Sequence, residues 1–121
     1  MVDKATPSIV RINPPELGTP PGYSQIVEVS AKRMVFIAGQ TALDRAGNVV
    51  GQGDFARQAS QVFDNLTVAL NAVGCTAANL EARNRFFASV SPPAAPAVTL
   101  VEVSKLYGAD FLIEIEAIAA A

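Results

Sequence analysis

The segment over residues 54–74, DFARQASQVFDNLTVALNAVG, constrains the fold most, because its pattern is that of one long amphipathic helix. Asp54 is its predicted N-cap, and Gly74 is the predicted residue just beyond its C-terminal end. The apolar face is formed by positions 55, 59, 62, 63, 66, 69, 70 and 73. The residues predicted to face solvent are Arg57, Gln61, Asp64 and Asn71. A helix with one apolar face has to bury it, so we expect a sheet to cover this face.

The rest of the chain alternates between strand patterns and turn-rich stretches. The predicted elements are, in order, an extended Pro-rich arm over 1–22, strands over 23–30 and 33–41, a short strand at 49–50, a second helix over 76–90, and strands over 97–106 and 111–121. The SAKR segment at 30–33 predicts a hairpin between the first two strands. Strands and helices in this order indicate a single α+β domain over residues 1–121.

Composition excludes several kinds of function. The chain has no histidine, which removes histidine-based catalysis and histidine-ligated metals, and its single cysteine forbids an internal disulfide. The net charge of −2 makes nucleic acid a poor partner. No apolar run approaches the ~18 residues of a membrane span, and no signal-peptide pattern is present, so we expect a cytoplasmic protein without membrane partners. Because 50% of the residues are hydrophobic, we also expect apolar surface to be buried between subunits.

Carboxylates are the first candidates for chemistry. In the last predicted strand Glu114 and Glu116 share one face with Leu112 and Ile118. The opposite face carries Ile113, Ile115, Ala117 and Ala119. Glu102 lies on the preceding predicted strand, where residues 95–103 contain no basic residue. Two interpretations stay open: a wetted or subunit-contacting sheet face, or a cleft in which one carboxylate acts as a general base.

Two further residues are weaker candidates. Gly39 in the GQT stretch ends a predicted strand, where a glycine allows a ligand to approach the backbone closely. Tyr23 follows PPG and is placed to present its hydroxyl at a strand edge. A plain turn and a packing tyrosine are the alternatives. Composition and periodicity alone therefore lead only as far as an α+β domain with apolar surface to bury.

The motifs PPGYSQIVEV, MVFIAGQT, LNAVG, PAVTLVEVSKL and FLIEIEAIA, in this order, resemble the Rid family over most of residues 10–119. This family is also called YjgF or enamine/imine deaminase, and was formerly called endoribonuclease L-PSP. The resemblance implies a chorismate-mutase-like fold in which a mixed sheet carries two helices on one face. It also implies a homotrimer around a barrel-like core, with ligand clefts between subunits. Archetypal members hydrolyse 2-imino acids to 2-keto acids and ammonia without a metal or cofactor.

Carried over by position, the resemblance assigns catalytic roles to Glu114, as the holder of the attacking water, and to Tyr23. The implied ligand-binding positions are Ala38, Gly39, Gln40, Val98 and Leu100. Three of these depart from the family pattern. Ala38 replaces a serine, Leu100 replaces a cysteine, and Val98 replaces the arginine that clamps the substrate carboxylate.

The arginine position matters most for function. A charge-assisted hydrogen bond contributes roughly 1.5–3 kcal/mol, and valine makes none. Without a cation beside Glu114, we expect weak or no deaminase activity on amino-acid-derived imines. Other basic residues that could supply a cation from another direction are Arg33, Arg83 and Arg85.

Three functional hypotheses remain. The first is a trimeric protein whose clefts bind or hydrolyse an apolar or uncharged metabolite; the second is a conventional deaminase with a displaced cation; the third is a non-catalytic binding or interaction protein. One structural question accompanies them: residues 76–90 lack the strand that the family has between its two helices. We therefore expect either a true deletion or a missing segment between Leu80 and Glu81.

Overall fold

The structure, a computed structural model, describes residues 8–76, 97 and 101–121. These residues form one α-helix and two pairs of strands. The elements are β1 Ser8–Ile12, β2 Ile26–Ser30, β3 Met34–Gln40, α1 Phe55–Ala72 and β4 Ile115–Ala120, with a 3-10 turn at Pro15–Leu17. β1 pairs with β2 and β3 with β4, both antiparallel. The predicted α+β class is confirmed. No helix among the described residues has both the length and the apolar character to cross a membrane.

The helix α1 follows its sequence signals closely. The Asp54 carboxylate accepts a hydrogen bond from the Arg57 backbone N–H at 3.1 Å, which satisfies one of the free donors at the helix start. Gly74, just after the helix, has a φ of 71°, a conformation that glycine adopts without steric cost. Phe55 departs from the predicted apolar face: in the first turn it is 56% exposed. The predicted helix and both end signals are confirmed, with Phe55 as the exception.

The core lies between α1 and the β3–β4 pair. Val62, Leu66 and Leu70 are buried on the helix, and Ala117 and Ala119 are buried on β4. The opposite side of the same pair exposes Met34, Phe36 and Ile118. This alternation in the last strand was predicted and is confirmed. The ladder begins only at Ile115 rather than at residue 111, because the chain just before it bonds to α1 instead of to β3.

Two sequence predictions about the strands need correction, and others fall outside the described residues. The expected hairpin between β2 and β3 is wrong: among the described residues β2 pairs with β1 from Ile26↔Ile12 to Ser30↔Ser8. The Pro-rich arm contains the short alternating strand β1, which pairs with one edge of β2, and β3 pairs with β4 instead. Residues 101–106 do not form a strand and are mostly exposed. Apart from Thr76, the helix predicted over 76–90 lies outside the described residues, as do the 80/81 junction and residues 98–100.

Candidate functional site

A bulge in β3 marks the end of the sheet where the predicted site residues meet. The β3–β4 register shifts there, since Ile37 lies opposite Ala117 whereas Gln40 lies opposite Ile115. Three steps along β3 therefore match two steps along β4. A β-bulge of this kind bends the strand and redirects neighbouring side chains, and bulges are frequent next to active sites.

At this bulge the side chain of Glu114 lies against the backbone of Gly39. A Cβ atom placed on Gly39 would be 2.8 Å from Cδ and 2.9 Å from Cγ of Glu114, and it would overlap Oε1. Only a glycine leaves room for the carboxylate in this position. Glu114 is exposed and immediately precedes β4, so its carboxylate is held over the sheet end and open to solvent.

The two residues line a groove of about 910 Å³ that is open to solvent. Its described lining is Gly39, Phe55, Val101, Glu102, Val103, Ser104, Lys105, Leu106, Phe111, Leu112, Ile113, Glu114, Ile115 and Glu116. Eight of these are apolar, three are glutamates and one is a lysine. The exposed Phe55 of α1 thus has a place in the groove wall. The lining presents three carboxylates against a single ammonium group.

That ammonium group belongs to Lys105, which lies just beyond residues 95–103, the stretch without basic residues, and lines the same groove as Glu114. Arg33, one of the alternatives considered, donates from its guanidinium to the Val73 carbonyl at 3.1 Å. It is six residues along the chain from Gly39, about 20 Å of extended strand away. Arg83 and Arg85 lie outside the described residues.

Tyr23, Ala38 and Gln40 are not among the described residues that line the groove, although Gln40 lies opposite Ile115, next to Glu114. Tyr23 is half-buried and does not line the groove; its neighbour Ser24 forms a parallel bridge with Ala97. Gln40 donates from Nε2 to the carbonyl of Ala38 at 2.9 Å, so its amide folds back along its own strand. Val98 and Leu100 lie outside the described residues. Their roles, like those of Glu114 and Gly39, stay predictions.

A row of three side-chain amides on α1 supports both sides of the site. Gln58 donates to the Asp110 carbonyl at 2.7 Å and accepts from the Leu112 N–H at 2.9 Å. Asn65 donates to the carbonyls of Thr41 at 3.1 Å and Leu43 at 2.9 Å. The third member of this amide row, Gln61, donates to Asn65 Oδ1 at 2.9 Å. Gln61 was predicted to face solvent, but it is half-buried, and its Nε2 also lies 3.4 Å from the Leu43 carbonyl.

Aromatic residues add a second support on the loop side. The Thr41 hydroxyl is within hydrogen-bond distance of the Tyr107 hydroxyl, at 2.8 Å. The Tyr107 ring stacks on Phe111 with centroids 4.7 Å apart and planes tilted by 39°. Phe111 in turn lines the groove. The chain over 104–111 is therefore fastened to the end of β3 on one side of the groove.

The sequence held a signal for part of this support. Gln58 and Asn65 are seven residues apart and fall on the apolar side of α1, where a polar residue usually has a buried partner. No comparable signal marked Lys105 or Tyr107, because a loop path decides their positions. No group of three potential metal-ligating side chains occurs among the described residues.

Comparisons with known proteins point to one family. The family model described as Endoribonuclease L-PSP matches residues 16–92. A RutC family protein of Pyrococcus horikoshii, PH0854, is 34% identical over 80% of this chain and 85% of its own length. Protein DfrA of Myxococcus xanthus is 46% identical, but over only 43% of this chain and 40% of that protein. The crystal structure of YyfB from Yersinia pestis, a protein of unknown function of the Rid protein family, is similar with a TM-score of 0.78 and 29% identity. That match covers 93% of this chain and 98% of YyfB.

Proposed function

The chain belongs to the Rid family, also described as the endoribonuclease L-PSP family, and we propose that its groove binds a small molecule and hydrolyses a C=N bond in it. Glu114 is the general base of this reaction. The observation that supports the proposal is the placement of the Glu114 carboxylate over Gly39, at the wall of a groove open to small solutes. No metal or cofactor is needed for the steps below.

The reaction follows from one carboxylate and one water molecule. Glu114 takes a proton from water as the oxygen attacks the imine carbon, and the C=N electron pair moves to nitrogen. The resulting carbinolamine nitrogen receives a proton from the Glu114 carboxyl. Glu114 then takes the hydroxyl proton and delivers it to the amino nitrogen as the C–N bond breaks, which releases ammonia and a carbonyl compound and leaves the carboxylate ionised. Each catalytic cycle thus consumes one water and regenerates Glu114.

The charges of the groove favour a substrate without a carboxylate. Three glutamates and one lysine make the described lining net acidic, which repels anions and suits a neutral or protonated imine. The valine at position 98, where the family has its clamping arginine, supports the same choice. The apolar residues of the lining suit an aliphatic or aromatic substituent. We therefore expect an imine derived from an amine rather than from an amino acid.

Two matched substrates test this expectation. Imines generated in place from 2-phenylethylamine by an amine oxidase and from phenylalanine by an amino-acid oxidase differ only by the carboxylate. We expect kcat/KM for the amine-derived imine to be at least about tenfold higher, which corresponds to about 1.4 kcal/mol. Ammonia release above the buffer rate measures both. If the protein accelerates neither reaction, the catalytic proposal is wrong and a binding function remains.

The second candidate function is a conventional deaminase whose displaced cation is Lys105. Its position in the same groove as Glu114 is the observation that favours this alternative. Lys105→Gln distinguishes the two candidates with the same pair of imines. A conventional deaminase would lose activity on the phenylalanine-derived imine alone, whereas the function preferred above predicts little change for the amine-derived imine.

We also infer that the protein assembles as a homotrimer through the outer side of β3–β4. Phe36 is 75% exposed there, beside the exposed Met34 and Ile118. Phe36↔Ile118 are directly paired, so the apolar patch is continuous across both strands.

A charge on this patch is expected to prevent assembly. Phe36→Glu is predicted to shift the sedimentation coefficient from that of a trimer to that of a monomer at micromolar concentration, because the carboxylate would have to be desolvated in the interface. Val68→Glu, on the exposed side of α1, is the matched control and should leave the coefficient unchanged. A wild-type protein that sediments as a monomer would overturn the inference.

A further inference from the structure

We propose that Gln58 is a positioning residue for Glu114: its buried amide fixes the chain two residues before Glu114 and thereby keeps the carboxylate over Gly39. The inference rests on the proposed function of Glu114. It adds a residue on a different element, α1, that touches neither the groove nor the substrate.

Gln58 is fully buried and uses both ends of its amide. Its Nε2 donates to the Asp110 carbonyl at 2.7 Å, and its Oε1 accepts from the Leu112 N–H at 2.9 Å. Both partners are backbone groups, so the amide takes the place of a strand neighbour for this part of the chain. An apolar residue at position 58 would leave the part-buried Asp110 carbonyl and Leu112 N–H without these bonds.

The location of these bonds gives them a functional meaning. Glu114 lies between two fixed points: Leu112, held by Gln58, and Ile115, where the β4 ladder with β3 begins. Only one residue separates Leu112 from Glu114. A shift of the Leu112 backbone would therefore move the carboxylate away from Gly39, and displacements of about 1 Å can cost a hundredfold in rate.

A second glutamine supplies a matched control. Gln52 also bonds Asp110, from its Nε2 to the side-chain Oδ1 at 2.8 Å. Gln52 is exposed, and this bond is to a side chain rather than to the backbone of 110–112. Comparison of Gln58→Met with Gln52→Met thus separates the loss of a hydrogen bond to residue 110 from the loss of the backbone anchor.

The expected result is a split between rate and binding. In Gln58→Met, kcat on the amine-derived imine should fall at least about tenfold while KM changes less than about threefold, since the groove remains and the base is displaced. Gln52→Met should match the wild type in both constants. Gln58→Glu keeps the acceptor for Leu112 but places a second carboxyl oxygen against the Asp110 carbonyl, so kcat should fall in this variant as well. It decides the matter if circular dichroism shows that Gln58→Met does not fold.

Two outcomes would overturn the inference: an unchanged kcat in folded Gln58 variants, or equal losses in Gln52→Met. Failure of the proposed function is recognised separately, by the absence of imine hydrolysis in the wild type. The position of Glu114 is then followed by the NMR chemical shifts of the Glu114 carboxyl carbon and the Gly39 amide, which report on the contact between them. If these shifts move in Gln58→Glu and not in Gln52→Met, the positioning role holds without the catalytic one; if neither moves, it fails.

Discussion

Glu114→Gln is expected to lower kcat for imine hydrolysis by about 10²–10⁴-fold, the usual contribution of a general base. The amide has nearly the same size as the carboxylate and retains an acceptor oxygen, but it does not take a proton from water. Because the residue is exposed and precedes β4, the free energy of unfolding should change by less than about 0.5 kcal/mol. Steady-state ammonia release and urea denaturation measure the two quantities.

Glu28→Gln is the matched control for the loss of one negative charge. Glu28 is an exposed residue of β2, and it does not line the groove. Its variant should keep wild-type turnover. Survival of turnover in Glu114→Gln would eliminate the base role for every substrate on which it is seen, and the groove would then be a binding site.

Gly39→Ala is also expected to lower turnover with little loss of stability. It displaces the carboxylate of Glu114 rather than removing it. The new methyl group would overlap Oε1 of Glu114 and crowd its Cγ and Cδ. An exposed glutamate side chain can rotate away at little cost, so the loss of stability should stay within about 1 kcal/mol. Turnover should fall by about tenfold to a hundredfold, because the base no longer faces the same point of the groove.

A double-mutant cycle identifies the origin of the effect. If the collision with Glu114 causes the loss of stability, Gly39→Ala should cost nothing further in a Glu114→Ala background. Equal costs in both backgrounds would mean that the alanine disturbs the bulge itself. The urea midpoints of the four proteins give this comparison directly.

The sequence was sufficient for features that depend on neighbouring residues. The helical period, the Asp54 cap and Gly74 defined α1 within two residues, and two-residue alternation assigned the faces of β4. The sequence did not predict which strands pair. β2 has similar apolar neighbours on either side in the sequence, and the choice of β1 over β3 depends on long-range geometry that no local pattern encodes.

The residues of the candidate site show the same difference between what the sequence predicted and what it did not. Gly39 and Glu114 were found through motif positions, and the structure brings them into contact. Lys105 and Gln58 were missed for different reasons. Lys105 reaches the groove through an irregular loop, whereas Gln58 was treated as an ordinary helix residue although its burial on the apolar side required a partner.

The bulge also bears on the alignment of β3 with β4. The end of β4 carries Ile118, Ala119 and Ala120, small or apolar on both sides, so a slip of two residues against β3 would keep similar side chains facing inward. Such a slip would move the bulge away from Glu114. Because the exposed Glu114 side chain can rotate away from a bulkier residue at little cost, its contact with Gly39 adds only a small preference for the observed alignment. A slipped pairing would therefore keep the inward face filled and lose the contact that is proposed to place the base.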